Sequence, residues 1–232
     1  MIDRYSITAP ASKIRERFRA EVIESFSPKY NAAPTQLLPV ITQDSPHGVS
    51  TFYWGTSPEW SKNKALSEKL INISAETIPE KGALRKSLMK MRCILPADGF
   101  YAWKKVGKRT AIPYRFVTTD QELFSLAGFW EEFEDSNSHV VHSFRLITIP
   151  ANNIVGTTQE RMPVLMEPEA EKIWLNSDSS EIQLLNVLKP YSDAHMNYYP
   201  VSPRITDASI NLASLIIPTS PADQHGNLTL FD

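Results

Sequence analysis

The sequence predicts an α+β fold: one domain over residues 1–218, built on a mainly antiparallel, barrel-like sheet with flanking helices, and a flexible tail over 219–232. Three observations predict it. Strand-like and helix-like stretches mix along the chain without a regular βαβ rhythm. No repeat, low-complexity run or linker divides the 232 residues, a length that suits one substantial core. The central stretch 92–103 places Ile94 and Leu95 in a short apolar strand, breaks at Pro96-Ala97-Asp98-Gly99, then resumes with the aromatics Phe100, Tyr101 and Trp103. That pattern predicts a core hairpin.

The other elements follow in chain order. Residues 1–8 read as a strand start with Tyr5 and Ile7 on one face. Ile14, Phe18 and Val22, spaced i, i+4, i+8, predict a helix capped by Thr8 or Ser12 and closed by Ser27-Pro28. Residues 30–36 form a loop, and 37–41 and 51–54 form strands, the second stopped by Gly55 and Pro58. Thr77 and Glu80 have capping-box spacing before a helix that buries Leu84, Leu88 and Met91 and shows Arg85, Lys86 and Lys90 to solvent. After the central stretch comes a basic turn over 104–109 around Gly107. Strands follow at 113–117, 123–129 and 142–149, with an acidic loop over 131–135. Residues 164–166 are a strand, Pro168 starts a helix with Trp174 and Leu175 inward, 182–188 form another helix, and 199–203 are extended.

Charge narrows the function classes. The net charge is −2, yet residues 81–115 hold ten Lys/Arg against one acid, Asp98, so that segment carries +9 and the rest −11. A localised basic block on an acidic chain fits an anionic partner, nucleic acid first, or a merely solvated basic face. Cys93 is the single cysteine, which rules out an internal disulfide and fits a reducing cytoplasm. Neither a signal segment nor an apolar run long enough to cross a membrane is present, so a cytoplasmic protein without a membrane partner is expected. His47, His139, His142, His195 and His225 lack metal-ligand spacing, and no phosphate-cradling loop or nucleophile elbow occurs; no metal or cofactor is expected.

A set of short segments then points further. In order they are Asp3-Arg4-Tyr5; Tyr30-Asn31-Ala32-Ala33-Pro34-Thr35-Gln36; Trp54-Gly55 with Pro58 and Trp60; and Asn72 with Ala75-Glu76-Thr77. Next come the run from Arg92 to Tyr101, Ala127-Gly128-Phe129-Trp130-Glu131, Arg161-Met162-Pro163 and Val201-Ser202-Pro203. Each is weak alone, but the ordered set resembles the SRAP family of abasic-site-processing proteins, also known as SOS-response-associated peptidases. The resemblance implies binding of single-stranded DNA at abasic sites as part of the DNA-damage response. It also implies a cysteine at position 2 whose amine and thiol trap the ring-opened sugar aldehyde, assisted by an Asn, a Glu and a His.

Carried over residue by residue, the resemblance leaves that chemistry without its groups. Position 2 is Ile2, the Glu position is Ala102 and the His position is Gln159; Asn72 is retained, and the Arg usual two residues on is Ser74. None of the three replacements supplies a nucleophile or a titrating group. Cys93 lies in a predicted buried strand and does not substitute. The expectation is a non-crosslinking binder, a catalytically impaired relative of its family. The alternatives are imine formation with abasic DNA through the Met1 amine, and an interaction protein that has lost DNA binding. For DNA contact the resemblance and the residue types indicate Arg4, Asn31, Pro34, Trp60, Asn72, Trp103, Thr148 and Arg161, together with the basic helix up to Arg92. The tail residues Asn227-Leu228-Thr229-Leu230-Phe231 look like a short peptide that bacterial proteins use on the replication sliding clamp, which makes the clamp a second expected partner. A monomer, nucleoid-associated when bound to DNA, completes the expectation.

Overall fold

The computed structural model describes residues 1–22, 26–58, 68–108, 110–134, 138–223 and 225–228. Among them run strands β1 (Tyr5–Ile7), β2 (Lys29–Ala32), β3 (Leu37–Thr42), β4 (Ser45–Trp54), β5 (Asn72–Ser74), β6 (Arg92–Ala97) and β7 (Gly99–Lys105). They continue with β8 (Ala111–Thr118), β9 (Phe124–Glu134), β10 (Val140–Pro150), β11 (Arg161–Pro163), β12 (Leu165–Met166) and β13 (Met196–Pro200). The longer helices are α1 (Ala11–Phe18), α2 (Gly82–Lys90), α3 (Pro168–Leu175) and α4 (Glu181–Asn186). No helix among the described residues is long and apolar enough to cross a membrane.

Five strands close into a barrel. β3 pairs antiparallel with β4 and β6, β6 with β9, and β9 with β10. The ring closes where β10 runs parallel to β4, with Phe144 opposite Trp54. Closure removes free sheet edges. β5 and β11 extend outward from β10, and β12 from β9. A second sheet, in the order β13-β8-β7-β1-β2, packs beside the barrel. Tyr5 of that sheet meets Trp54 of the barrel at 5.4 Å between ring centroids, and Trp54 stacks on Phe144 at 6.0 Å. The predicted α+β class with a mainly antiparallel, barrel-like sheet is the observed one, with parallel seams at β4/β10 and β5/β10.

The central hairpin is not one. β6 and β7 do not pair with each other: β6 belongs to the barrel, β7 to the second sheet, and the chain crosses between them at Asp98. The Asp98 carboxylate accepts from the Ser6 hydroxyl at 2.7 Å, from the Thr8 hydroxyl at 2.6 Å and backbone N–H, and from the Arg115 guanidinium at 2.8 Å. Gly99 is required because a Cβ there lies 2.6 Å from Arg115 Nε.

Other local expectations are corrected by similar inward contacts. α1 stops at Phe18 because Arg19 takes a left-handed φ of 51°, and Thr8, bound to Asp98, is not its cap. The Thr77/Glu80 capping box does not form; the Thr77 hydroxyl donates to Ser74 O at 2.8 Å within a 3₁₀ turn, and α2 starts later, after Lys81. The acidic stretch expected as a loop is largely strand, since β9 continues to Glu134 and pairs with Val140. α3 buries Trp174 as expected, and α4 carries a capping box between Ser180 and Gln183.

Candidate nucleic-acid interface

The N-terminal segment joins two groups of the indicated residues. On one side, the Ile2 side chain is fully buried and its carbonyl accepts from Asn72 Nδ2 at 2.8 Å. Asn72 opens β5, whose parallel register with β10 sets Leu146 opposite Asn72 and Thr148 opposite Ser74. On the far side of β10, Thr148 faces Pro163 of β11. That register brings Arg161 to Thr148: Nε donates to the Thr148 hydroxyl at 3.1 Å and a terminal nitrogen to its carbonyl at 2.6 Å. Gln159 Nε2 donates to Arg161 O at 2.7 Å, and Arg161 pairs with Glu76 at 2.9 Å. Asn72, Thr148, Gln159 and Arg161 therefore share the β5–β10–β11 edge.

On the other side, Tyr101 N donates to Arg4 O at 3.1 Å, continuing the β1–β7 register. Ala102 lies next on β7, fully buried opposite Tyr114. Trp103 is half-buried against the cluster of Tyr101, Val201, Ile205 and Leu215. It also walls a cavity of about 390 Å³ with Lys105, Lys108 and Thr206. Arg4 donates to Thr206 O at 3.3 Å, and Asn31 Nδ2 to Asp207 O and Ile210 O at 2.9 and 3.0 Å. Arg4, Asn31 and Trp103 thus converge on residues 203–210. Pro34 is half-buried beside Thr35, whose φ is 70°. Trp60 lies outside the described residues, as do Thr229 to Phe231 of the tail peptide.

The basic helix is less available than its charge suggests. Arg92 is fully buried and donates to three carbonyls, of Leu88, Trp174 and Asn176, so it closes the ends of α2 and α3 and reaches no phosphate. Burial lowers its pKa to about 10, which leaves it charged at neutral pH. Arg85 is held in a bidentate pair by Glu181 at 2.9 and 2.8 Å. Lys81, Lys86 and Lys90 are exposed. Cys93 is buried, and burial pushes its thiol well above the ordinary range, so it is inert. Among the described residues, no three His, Cys, Asp or Glu side chains gather to hold a metal ion.

Sequence reasoning missed two acids. Glu76 neutralises Arg161, and its only signal was its place two residues after Ser74 in a quoted segment. Asp3 sits between Ile2 and Arg4, and burial raises its carboxyl above the usual 3.8 against the opposing pull of Arg4. A carboxyl with a raised folded-state pKa favours folding below its unfolded pKa and loses that contribution as pH rises through the folded value. Asp3→Asn is therefore expected to raise Tm at pH 7, with the gap to wild type closing as pH falls toward and below 3.8, as read by thermal unfolding across pH.

Comparison with known proteins covers nearly the whole chain. The family model described as SOS response associated peptidase (SRAP) matches residues 1–208. Abasic site processing protein YoqW of Bacillus subtilis (strain 168) is 33% identical over 221 residues, 93% of this chain and 99% of its own length. YoaM of the same organism, also an abasic site processing protein, is 36% identical over 193 residues, 82% of this chain and 85% of its own. The crystal structure of a protein from Bacteroides thetaiotaomicron superposes with a TM-score of 0.81 at 26% identity, covering 93% of this chain and 99% of that one.

Proposed function

Because the chain belongs to the SRAP family, we propose that it binds single-stranded DNA at abasic sites and holds them without a covalent bond. One observation carries this reading: the residue at position 2 is an isoleucine, fully buried and pinned through its carbonyl by Asn72. Its side chain has no nucleophilic atom and no route to a ligand. The Ala102 methyl and the Gln159 amide add no proton-transfer group. The scaffold around them keeps groups suited to a strand of DNA. Arg161 shares an ion pair with Glu76 in which both side chains are partly exposed (26% and 49%), so a phosphate can displace the carboxylate. Trp103 offers a face for a base beside the exposed Lys105 and Lys108, a stacking contact worth ~1–3 kcal/mol. The names of the curated relatives, abasic site processing proteins, support DNA as the partner.

Fluorescence anisotropy of labelled single strands, with and without one abasic site, tests the reading. Binding is expected for both strands at low salt, tighter for the abasic one, with affinity falling linearly in log salt. Equal affinities mean that damage recognition is absent, and no binding at low salt removes the DNA assignment.

A further inference from the structure

Four polar atoms of the N-terminal segment and its partner strand are buried without a protein partner: Asp3 Oδ1, Arg4 Nε, Asn72 Oδ1 and Tyr5 Oη, the last on a side chain fully buried against Trp54 in the core and so set apart from the other three. Buried polar groups are paired in the great majority of cases, so Asp3 Oδ1, Arg4 Nε and Asn72 Oδ1 are groups that a ligand could satisfy. They are neighbours through the bonds already present. Asn72 Nδ2 holds the Ile2 carbonyl at 2.8 Å, one peptide from Asp3. Arg4 folds back to donate to Asp3 O at 2.7 Å, and its guanidinium lies 3.5 Å from Asp3 Oδ2. Asp3 Oδ1, the other carboxylate oxygen, has no partner. A third of the Asp3 side chain is exposed, so the carboxyl lies close to solvent.

The set holds two acceptors and one donor. A phosphate, which only accepts, is repelled by the Asp3 carboxylate and satisfies only Arg4 Nε. A hydroxyl both donates and accepts, and it matches the set. In a DNA strand C1′ of an intact nucleotide carries the base, whereas a baseless deoxyribose carries a hydroxyl there, in the closed ring or after reduction. We infer that Asp3 is the specificity-determining acceptor for the C1′ hydroxyl of a baseless sugar, with Asn72 and Arg4 completing the cradle. This rests on the DNA-binding reading and adds to it a noncovalent basis for choosing the damaged nucleotide. The raised carboxyl of Asp3 means that the fold tolerates a destabilising charge at this point, as sites kept for ligands commonly do.

The test uses anisotropy at one fixed low salt with four strands. These are intact DNA, a tetrahydrofuran analogue (baseless, without the C1′ hydroxyl), natural abasic DNA, and borohydride-reduced abasic DNA, which has the hydroxyl and no aldehyde. The reduced strand separates hydrogen bonding from any covalent capture. The wild-type protein is expected to bind the natural and reduced strands about tenfold more tightly than the tetrahydrofuran strand, a factor equivalent to ~1.4 kcal/mol. Asp3→Ala brings that ratio close to one. Equal affinity of the wild-type protein for reduced and tetrahydrofuran strands overturns the inference without needing a variant, and so does a ratio that survives Asp3→Ala. Failure to bind any strand defeats the DNA reading itself; binding to intact strands without a hydroxyl preference defeats only the role of Asp3.

Discussion

Asp98→Ala is expected to destabilise the fold by ~3–5 kcal/mol, the cost of stranding a buried guanidinium without its counter-ion. Asp98 and Arg115 have side chains only 10% and 7% exposed, and their contact measures 2.8 Å. The carboxylate also satisfies the Ser6 hydroxyl and both the hydroxyl and backbone N–H of Thr8, so its loss frees four donors at once. These contacts hold the corner where the chain leaves the barrel for the second sheet, between β6 and β7. Arg115 keeps only neutral acceptors among the described residues, the Tyr199 hydroxyl at 2.8 Å, Ser6 Oγ at 3.0 Å and the backbone carbonyl of residue 98 at 3.1 Å, and none of them supplies a counter-charge. Urea unfolding checks the value, and Asp98→Ala combined with Arg115→Met recovers part of the loss because neither charge is then left alone. A cost below ~1 kcal/mol for the single substitution contradicts the assignment of this pair as the anchor of the corner.

The same corner explains why the fold was only partly legible. Pro96-Ala97-Asp98-Gly99 has turn chemistry, and turn chemistry predicts a hairpin. Asp98 instead spends its oxygens on residues in β1 and β8 or next to them, contacts that no local pattern announces. Arg92 misled in the same manner: at the end of a basic helix it reads as a phosphate ligand, yet it is buried against three carbonyls, two of them more than eighty residues away. Strand content and the mixed class followed from apolar alternation. The barrel-like sheet was expected as a class, but the strand pair that closes it was not, because the parallel contact of Phe144 with Trp54 joins strands distant in sequence.

The candidate site divides differently. Ile2, Ala102 and Gln159 carry no positive signal, and they gained meaning only as replacements in a recognised pattern. Thr148 and Arg161 were indicated singly, and the β5–β10–β11 register is what brings them to Asn72. Asp3 and Glu76 were overlooked because an acid near an arginine in sequence is ordinary. What distinguishes Asp3 is an unpartnered buried oxygen, a property of packing.

The absence of crosslinking is the second large expected effect. A stable adduct with an abasic aldehyde needs an amine to form the imine, a second nucleophile to close the ring, and groups to move protons. Ile2 offers no thiol and is fully buried, Cys93 is buried with its thiol held neutral, and Ala102 and Gln159 do not titrate. The direct measurement is incubation with a labelled abasic single strand, with and without borohydride, resolved on a denaturing gel beside a native binding assay of the same mixture. The prediction is binding in the native assay and no slow-migrating protein–DNA species in either denaturing lane. A heat-stable adduct without reductant, or a trapped one with it, contradicts a noncovalent hold on the damaged strand.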